Sequence, residues 1–150
     1  TVAAAVANEA PPPPRPLSQR ERAFAVMIRN AMWRRVEAVA RDDLDALMRG
    51  ERAVADLFDP PREVLMTRSR WDNAIEEYYA EHDEVLLDAD ARGPRNLHID
   101  RTGGVWQVRQ TLADPEGHHD WVIDAEVDVA ASDELGEAVV TATSMHRLDG

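Results

Sequence analysis

From Trp121 to Val129 the chain reads Trp-Val-Ile-Asp-Ala-Glu-Val-Asp-Val. Trp121, Ile123, Ala125, Val127 and Val129 alternate with Val122, Asp124, Glu126 and Asp128. A period of two sustained this long predicts an antiparallel strand with one buried face and one wet face. That segment fixes the fold class as sheet-containing. It fixes no function, because no complete catalytic motif accompanies it.

The neighbouring segments supply partners for this strand. Val105 to Leu112 is predicted to precede it, with Trp106, Val108 and Gln110 on one face. Asn96 to Asp100, with Leu97 and Ile99 on one side, is joined to it by the hairpin turn Arg101-Thr102-Gly103-Gly104. Asp114 to His119 forms the next turn. Glu84 to Asp88 is expected to be a further strand, Ser132 to Gly136 a turn, and Ala138 to His146 the closing strand.

Upstream the period is helical. Ser18 followed by Glu21 predicts a capping box. Phe24, Met27, Ile28, Ala31, Met32, Val36 and Val39 then form one apolar stripe, with Asn30, Arg34, Glu37 and Arg41 opposite. Arg35 falls inside the stripe. It either snorkels to water or points into a pocket to bind an anion or carboxylate. Asp42 or Asp43 begins a second helix expected to run through Met48 and stop at Gly50. Residues 51–66 are read as a short helix and then loop around Asp59-Pro60-Pro61. Ser69 with Asp72 is expected to start a third helix, on which Trp71, Ala74, Ile75, Tyr78 and His82 repeat at helical spacing. The expected fold is α+β: three N-terminal helices packed on a curved antiparallel sheet of four to six strands, a cone-shaped roll. Residues 1–16 are assigned to an Ala/Pro-rich linker of polyproline II character and residues 17–150 to the domain.

Composition removes several classes of chemistry. The 150 residues suit one domain with a real core. The absence of Cys excludes disulfides and Cys-zinc sites. All 17 basic residues are Arg, so a P-loop lysine and a Schiff-base lysine are both excluded. Residues 15–52 hold nine Arg and six acids, a balance of +3, whereas residues 53–150 hold eight Arg and 22 acids, a balance of −14. So acidic a sheet half repels phosphate backbones. Nucleic-acid or partner contact is therefore assigned to Arg20, Arg22, Arg29 and Arg34 around the first helix. No run approaches the roughly 18 apolar residues of a membrane span, and no membrane partner is expected. The Pro-rich opening is read as a linker to an upstream region, which makes a fragment of a larger cytoplasmic protein the expectation.

Candidate chemistry is sparse. His118-His119-Asp120 offers metal-ligand types, yet neighbouring residues seldom aim at one ion and no third spaced ligand is visible. No metal is expected there, and the turn is read as polar, with Asp120 accepting backbone or His hydrogen bonds. Asp120, Asp124, Glu126 and Asp128 share a strand face opposite Arg109 and Thr111, which reads as a solvated face. Residues expected to line a pocket, if the fold encloses one, are Arg35, Trp71, Tyr78, His98, Trp106 and His146. His98 with Asp100, or Tyr78 with His146, are the candidate acid–base pairs.

The order of helices and strands resembles the nuclear-transport-factor-two-like (cystatin-like) cone, in which the first and third helices lie in a concave sheet. Enzymes of that superfamily use His–Asp or Asp–Tyr pairs in the cavity for dehydration or isomerisation, which is what this resemblance implies for the rival reading of a pocket protein. A second resemblance covers more than half of the chain. WQVRQTLADPEGHHDWVIDAEVDVAASDELGEAVV (106–140), PLSQRERAFAVMIRNAMWRRVE (16–37) and DADARGP (88–94) together resemble the C-terminal domain of unknown function of actinobacterial DEAD/DEAH-box helicases. Glu116 and His118 depart from that family's small or acidic turn residues, and residues 42–70 match poorly. The resemblance implies a non-catalytic accessory domain without a cofactor of its own, ATP and Mg belonging to upstream helicase domains. It implies contact with the helicase core or a protein partner, with a homodimer through the sheet as a further option. Nucleic acid would be reached only through the parent protein.

Overall fold

The computed structural model describes residues 12–13 and 15–149. Residues 1–11 and 14 of the expected linker lie outside the described residues, while Pro12, Pro13, Arg15 and Pro16 are exposed and carry no regular structure. A 3-10 turn at Leu17–Gln19 leads into α1 (Glu21–Ala40), α2 (Leu44–Ala55) and α3 (Arg68–Glu81). A second 3-10 turn at Pro94–Asn96 leads into β1 (Leu97–Asp100), β2 (Val105–Thr111) and β3 (Trp121–Asp128). Helix α4 (Val129–Leu135) and strand β4 (Val140–Arg147) follow. The class is α+β, with one four-stranded antiparallel sheet in the order β1-β2-β3-β4. The helices are not all N-terminal, because α4 lies between the last two strands.

The alternating segments pair as their pattern requires. Trp106, Val108 and Gln110 of β2 are buried, as are Trp121, Ile123, Ala125 and Val127 of β3. Ala125 faces Val108 on one side and Ala142 on the other. A register shift at Asp124/Ala125 then lets both Ala142 and Met145 of β4 stay inside. Phe24, Ile28, Met32, Val36 and Val39 of α1 and Trp71, Ile75 and Tyr78 of α3 cover this face in one cluster. Phe24 packs on Trp106 at 5.2 Å between ring centroids, and Tyr78 meets Trp121 edge-on at 5.7 Å. Such aromatic pairs add to the burial energy and fix how the helices sit on the sheet. Val122, expected on the wet face, is also fully buried, in the cross-strand row between Thr111 and His146.

Five expectations need correction. Ser18 caps nothing: its N–H and Oγ both donate to the Asp133 carboxylate, each at 2.7 Å. It therefore ties the start of the chain to α4, and α1 begins at Glu21 behind Arg20, which makes no side-chain cap bond. Gly50 does not end α2. Asp43 caps the helix through Ala46 N–H, and Leu47, Glu51 and Ala55 continue its buried face past the glycine. Those contacts outweigh a helix cost of about 1 kcal/mol for Gly. Helix α3 starts two residues early, capped by Thr67 in place of Ser69, with Thr67 Oγ1 accepting from Arg70 N–H. Glu84–Asp88 is not a strand: Leu86 N–H reaches Ala113 O at 2.8 Å, without a ladder. The turn expected at Ser132–Gly136 is α4, capped by Asp128 on Ala131 N–H and closed by Gly136 at φ +72°. The left-handed conformation there is the reason the position suits glycine.

Candidate functional site

Two clusters of buried charged-type side chains lie against the apolar layer, at different places, and each centres on a residue whose role the local pattern does not reveal. The first is Arg35. Its head stays inside the protein: Nε donates to Glu51 Oε2 at 2.9 Å, Nη1 to Ala31 O at 3.0 Å and Nη2 to Val140 O at 2.9 Å. Glu51 Oε1 in turn accepts from Ala142 N–H at 2.9 Å. Of the two sequence alternatives, the inward one holds, and the carboxylate is the chain's own. The guanidinium joins α1, α2 and β4, with each of its three nitrogens donating to a protein acceptor. A cleft of about 330 Å³ runs beside it, bordered by Arg34, Arg41, Leu47 and Val54, with no histidine among its lining.

The second is His82, at the C-terminal end of α3 and only 3% exposed. Tyr78, one turn earlier, lies against its ring at 5.1 Å. The β2–β3 hairpin wraps the rest. Nδ1 meets Glu116 Oε1 at 2.6 Å and lies 3.6 Å from Asp114 Oδ2, and Nε2 meets Asp120 Oδ1 at 3.2 Å. The His118 ring stands edge-on over His82 at 5.5 Å. Asp114 is itself buried, with Oδ2 accepting from His118 N–H at 2.9 Å and Oδ1 from His119 N–H at 2.7 Å. Gly117 at φ +73° and His119 at φ +51° bend the hairpin so that both amides point back at this one carboxylate.

Electrostatics follow from this packing. Burial opposes charge on His82, yet the hydrogen bonds to Glu116 and Asp120 and the field of Asp114 hold the imidazolium above its usual range. Burial likewise opposes charge on Asp114, but the amides of His118 and His119 and the nearby His82 hold its carboxyl below the ordinary value. Burial, then the field of Asp114, raises the Tyr78 phenol, whose hydroxyl donates to Glu84 O at 2.7 Å. A phenol so placed is a packing group with a satisfied tip, not a proton shuttle.

The ligand atoms of His82, Asp114 and His118 all lie within 4.8 Å of one another, and so do those of Glu81, His82 and Asp120. The third spaced residue of ligand type that the His118-His119-Asp120 turn lacks in sequence is offered by His82, brought from 36 positions upstream of His118 by the packing of α3 on the hairpin. The signal was present only as a histidine in an aromatic helical stripe, a pattern that ordinarily means core. His119 is exposed and takes part through its backbone amide. The expectation that Asp120 accepts from a histidine holds, but the donor is His82.

The other sequence candidates are scattered. Trp71, Tyr78 and Trp106 pack in the core, with Trp106 Nε1–H donating to Gly103 O at 3.1 Å. His98 and Asp100 are exposed on β1 and border a shallow depression on the outer sheet face with Arg109 and Asp124. His146 also sits on that outer face, 3.8 Å from Asp124, whereas Tyr78 lies under the inner face, so those two do not converge. Arg20, Arg22 and Arg34 are exposed and Arg29 is half-buried. Arg22 and Arg29 share one side of α1, and Arg34 lies about 140° round the helix from Arg29. The four do not make one basic stripe. On the outer face Arg109 clamps Asp124 at 2.8 and 3.0 Å, as the strand pattern implied. Asp128 faces Arg62 instead, at 2.9 Å.

The arrangement defines an α+β domain with a filled core and one buried histidine held by acids from a neighbouring hairpin. The chain belongs to the family described as a domain of unknown function (DUF3516), whose model matches residues 1–145. No curated protein and no solved structure matches it. No helix among the described residues is long and apolar enough to cross a membrane.

Proposed function

We propose that this domain is a non-catalytic accessory and interaction module at the C-terminal end of an actinobacterial ATP-dependent DEAD/DEAH-box helicase. It works in the cytoplasm by contacting the helicase core, a protein partner or a second copy through its sheet. In this reading its architecture is a variant of the nuclear-transport-factor-two-like cone. ATP and Mg act in upstream domains, and nucleic acid is handled there.

The observation that carries this reading is the filled interior. Trp71, Trp121, Tyr78, Phe24, Met32 and Met66 are all fully or almost fully buried and occupy the space between helices and sheet. A cone-fold enzyme keeps that space for a substrate. The alternative, a small-molecule pocket protein or a dehydratase or isomerase of the cone superfamily, draws less support, since His98 and His146 sit on the outer sheet face near Asp124, apart from the cleft beside Arg35 and from the core that holds Tyr78. The acidity of residues 53–150 supports a protein partner over direct contact with phosphates.

The test is the size of the natural gene product, by immunoblot against this domain in source cells. A band several times larger than 16.8 kDa is expected. A band at that mass would sink the helicase-appendage reading. Cross-linking of the large product in the same cells then reads which surface makes the contact.

A further inference from the structure

We propose that His82, Asp114 and His118 bind a divalent transition-metal ion of the zinc class, with Glu116 as fourth ligand and Asp120 as the outer partner that orients His82. This inference is independent of the helicase reading.

The geometry is that of a metal site with its outer support in place. Tetrahedral zinc holds ligands at about 2.0–2.1 Å, which sets neighbouring ligand atoms about 3.3 Å apart. His82 Nδ1 and Asp114 Oδ2 are 3.6 Å apart, too far for a hydrogen bond and close to that edge. The ligand atom of His118 lies within 4.8 Å of both, so modest side-chain adjustment completes three corners. Glu116 already touches Nδ1 at 2.6 Å, and its half-exposed side chain supplies the fourth corner.

The opposite edge of the His82 ring is equally informative. Asp120 accepts at Nε2, at 3.2 Å, which places a proton on that nitrogen and leaves Nδ1 to face the other groups. A carboxylate behind a ligating imidazole is the usual outer arrangement of metal-bound histidine. Asp114 is fixed in the same way, its carboxylate held by the amides of His118 and His119. Its position is therefore set by the hairpin backbone and not by a free rotamer.

A protonated His82 accounts for Glu116 at Nδ1 and Asp120 at Nε2. It leaves over Asp114 Oδ2, 3.6 Å from Nδ1, and the His118 ring at 5.5 Å, which are the two further ligands. Two imidazoles side by side repel if both are protonated, whereas both bind one cation when neutral. Nitrogen and carboxylate ligands together select zinc-like ions over Mg²⁺ or Ca²⁺, which take oxygen. On binding, the ion displaces the proton shared between Nδ1 and Glu116, and that proton leaves to buffer.

The experiment is calorimetric titration of the full chain, prepared with chelator, using Zn²⁺, followed by absorption spectroscopy with Co²⁺. One ion per chain, a tetrahedral Co²⁺ spectrum and no response to Mg²⁺ are expected. His118→Ala removes an exposed ligand without touching the core and is expected to weaken Zn²⁺ binding about 100-fold. Asp120→Asn is expected to weaken it about 10-fold or more, the usual effect of losing an outer carboxylate. His98→Ala, on the outer sheet face, is expected to change nothing. Absence of saturable Zn²⁺ binding would overturn the proposal. So would binding that survives His118→Ala unchanged or disappears in His98→Ala.

Discussion

Arg35 and His82 are both charged-type side chains buried beneath the helices, and they differ in how their surroundings count. Arg35 makes three hydrogen bonds from its guanidinium, and the far oxygen of Glu51 takes a β4 amide. Every guanidinium nitrogen has a protein acceptor, and both Glu51 oxygens are taken. His82 has only two nitrogens, yet Glu116, Asp114, Asp120 and His118 crowd them. A buried polar group whose partners balance is architecture, whereas a surplus of ligand atoms around one ring is capacity to bind.

Breaking the balanced site should have the largest effect. Glu51→Ala leaves the Arg35 charge buried and the Ala142 amide unpaired. It is expected to cost about 3–5 kcal/mol in urea unfolding. The apolar double variant Arg35→Met with Glu51→Leu should recover most of that loss, though not the portion of about 1–3 kcal/mol due to the orphaned amide. If both variants were equally destabilised, the guanidinium would have a role beyond matching Glu51.

The surplus site should respond in the opposite sense, by gaining stability from outside. Zn²⁺ at about 100 times its dissociation constant is expected to stabilise the chain by about 2.7 kcal/mol, read as a rise in Tm. The gain should vanish in His118→Ala. A similar gain with Mg²⁺ would erase the distinction between the two sites.

Ser132 gives a neutral buried reference. Its Oγ donates to Asp128 O at 2.7 Å and accepts from Val139 N–H at 2.9 Å, fully buried. Ser132→Ala is expected to cost about 1–3 kcal/mol by denaturant melt, because the Val139 amide is left unsatisfied. The exposed pair Arg109–Asp124 sets the lower bound. Arg109→Ala should cost only about 0.2–1 kcal/mol, and less still at high salt.

Legibility in the sequence followed the range of the interaction. The β2 and β3 faces were readable because strand side chains alternate whatever the partner, and the α1 stripe was readable because 3.6-residue spacing is local. The Arg35 anomaly was visible as a charge inside an apolar stripe, but its partner, 16 residues on, was hidden behind Gly50, read as a helix end. Ser18 carried a correct local capping signal that a longer-range partner, Asp133, overrode. Helix α4 was missed although Asp128 and Gly136 bracket it as cap and stop, because Ser132, Asp133 and Gly136 within five residues also spell a turn.

The sequence by itself determined an α+β chain with a long central hairpin, an acidic second half and no lysine or cysteine chemistry. Periodicity and composition need no knowledge of what lies across the core. Only the tertiary structure decided that His82 leaves the aromatic stripe of α3 to meet Asp114, Glu116, His118 and Asp120. Those residues lie more than 30 positions away, and no local rule orients a helix end against a hairpin. Packing of Tyr78 on Trp121 does so, and it turns an ordinary core histidine into the centre of a ligand cluster.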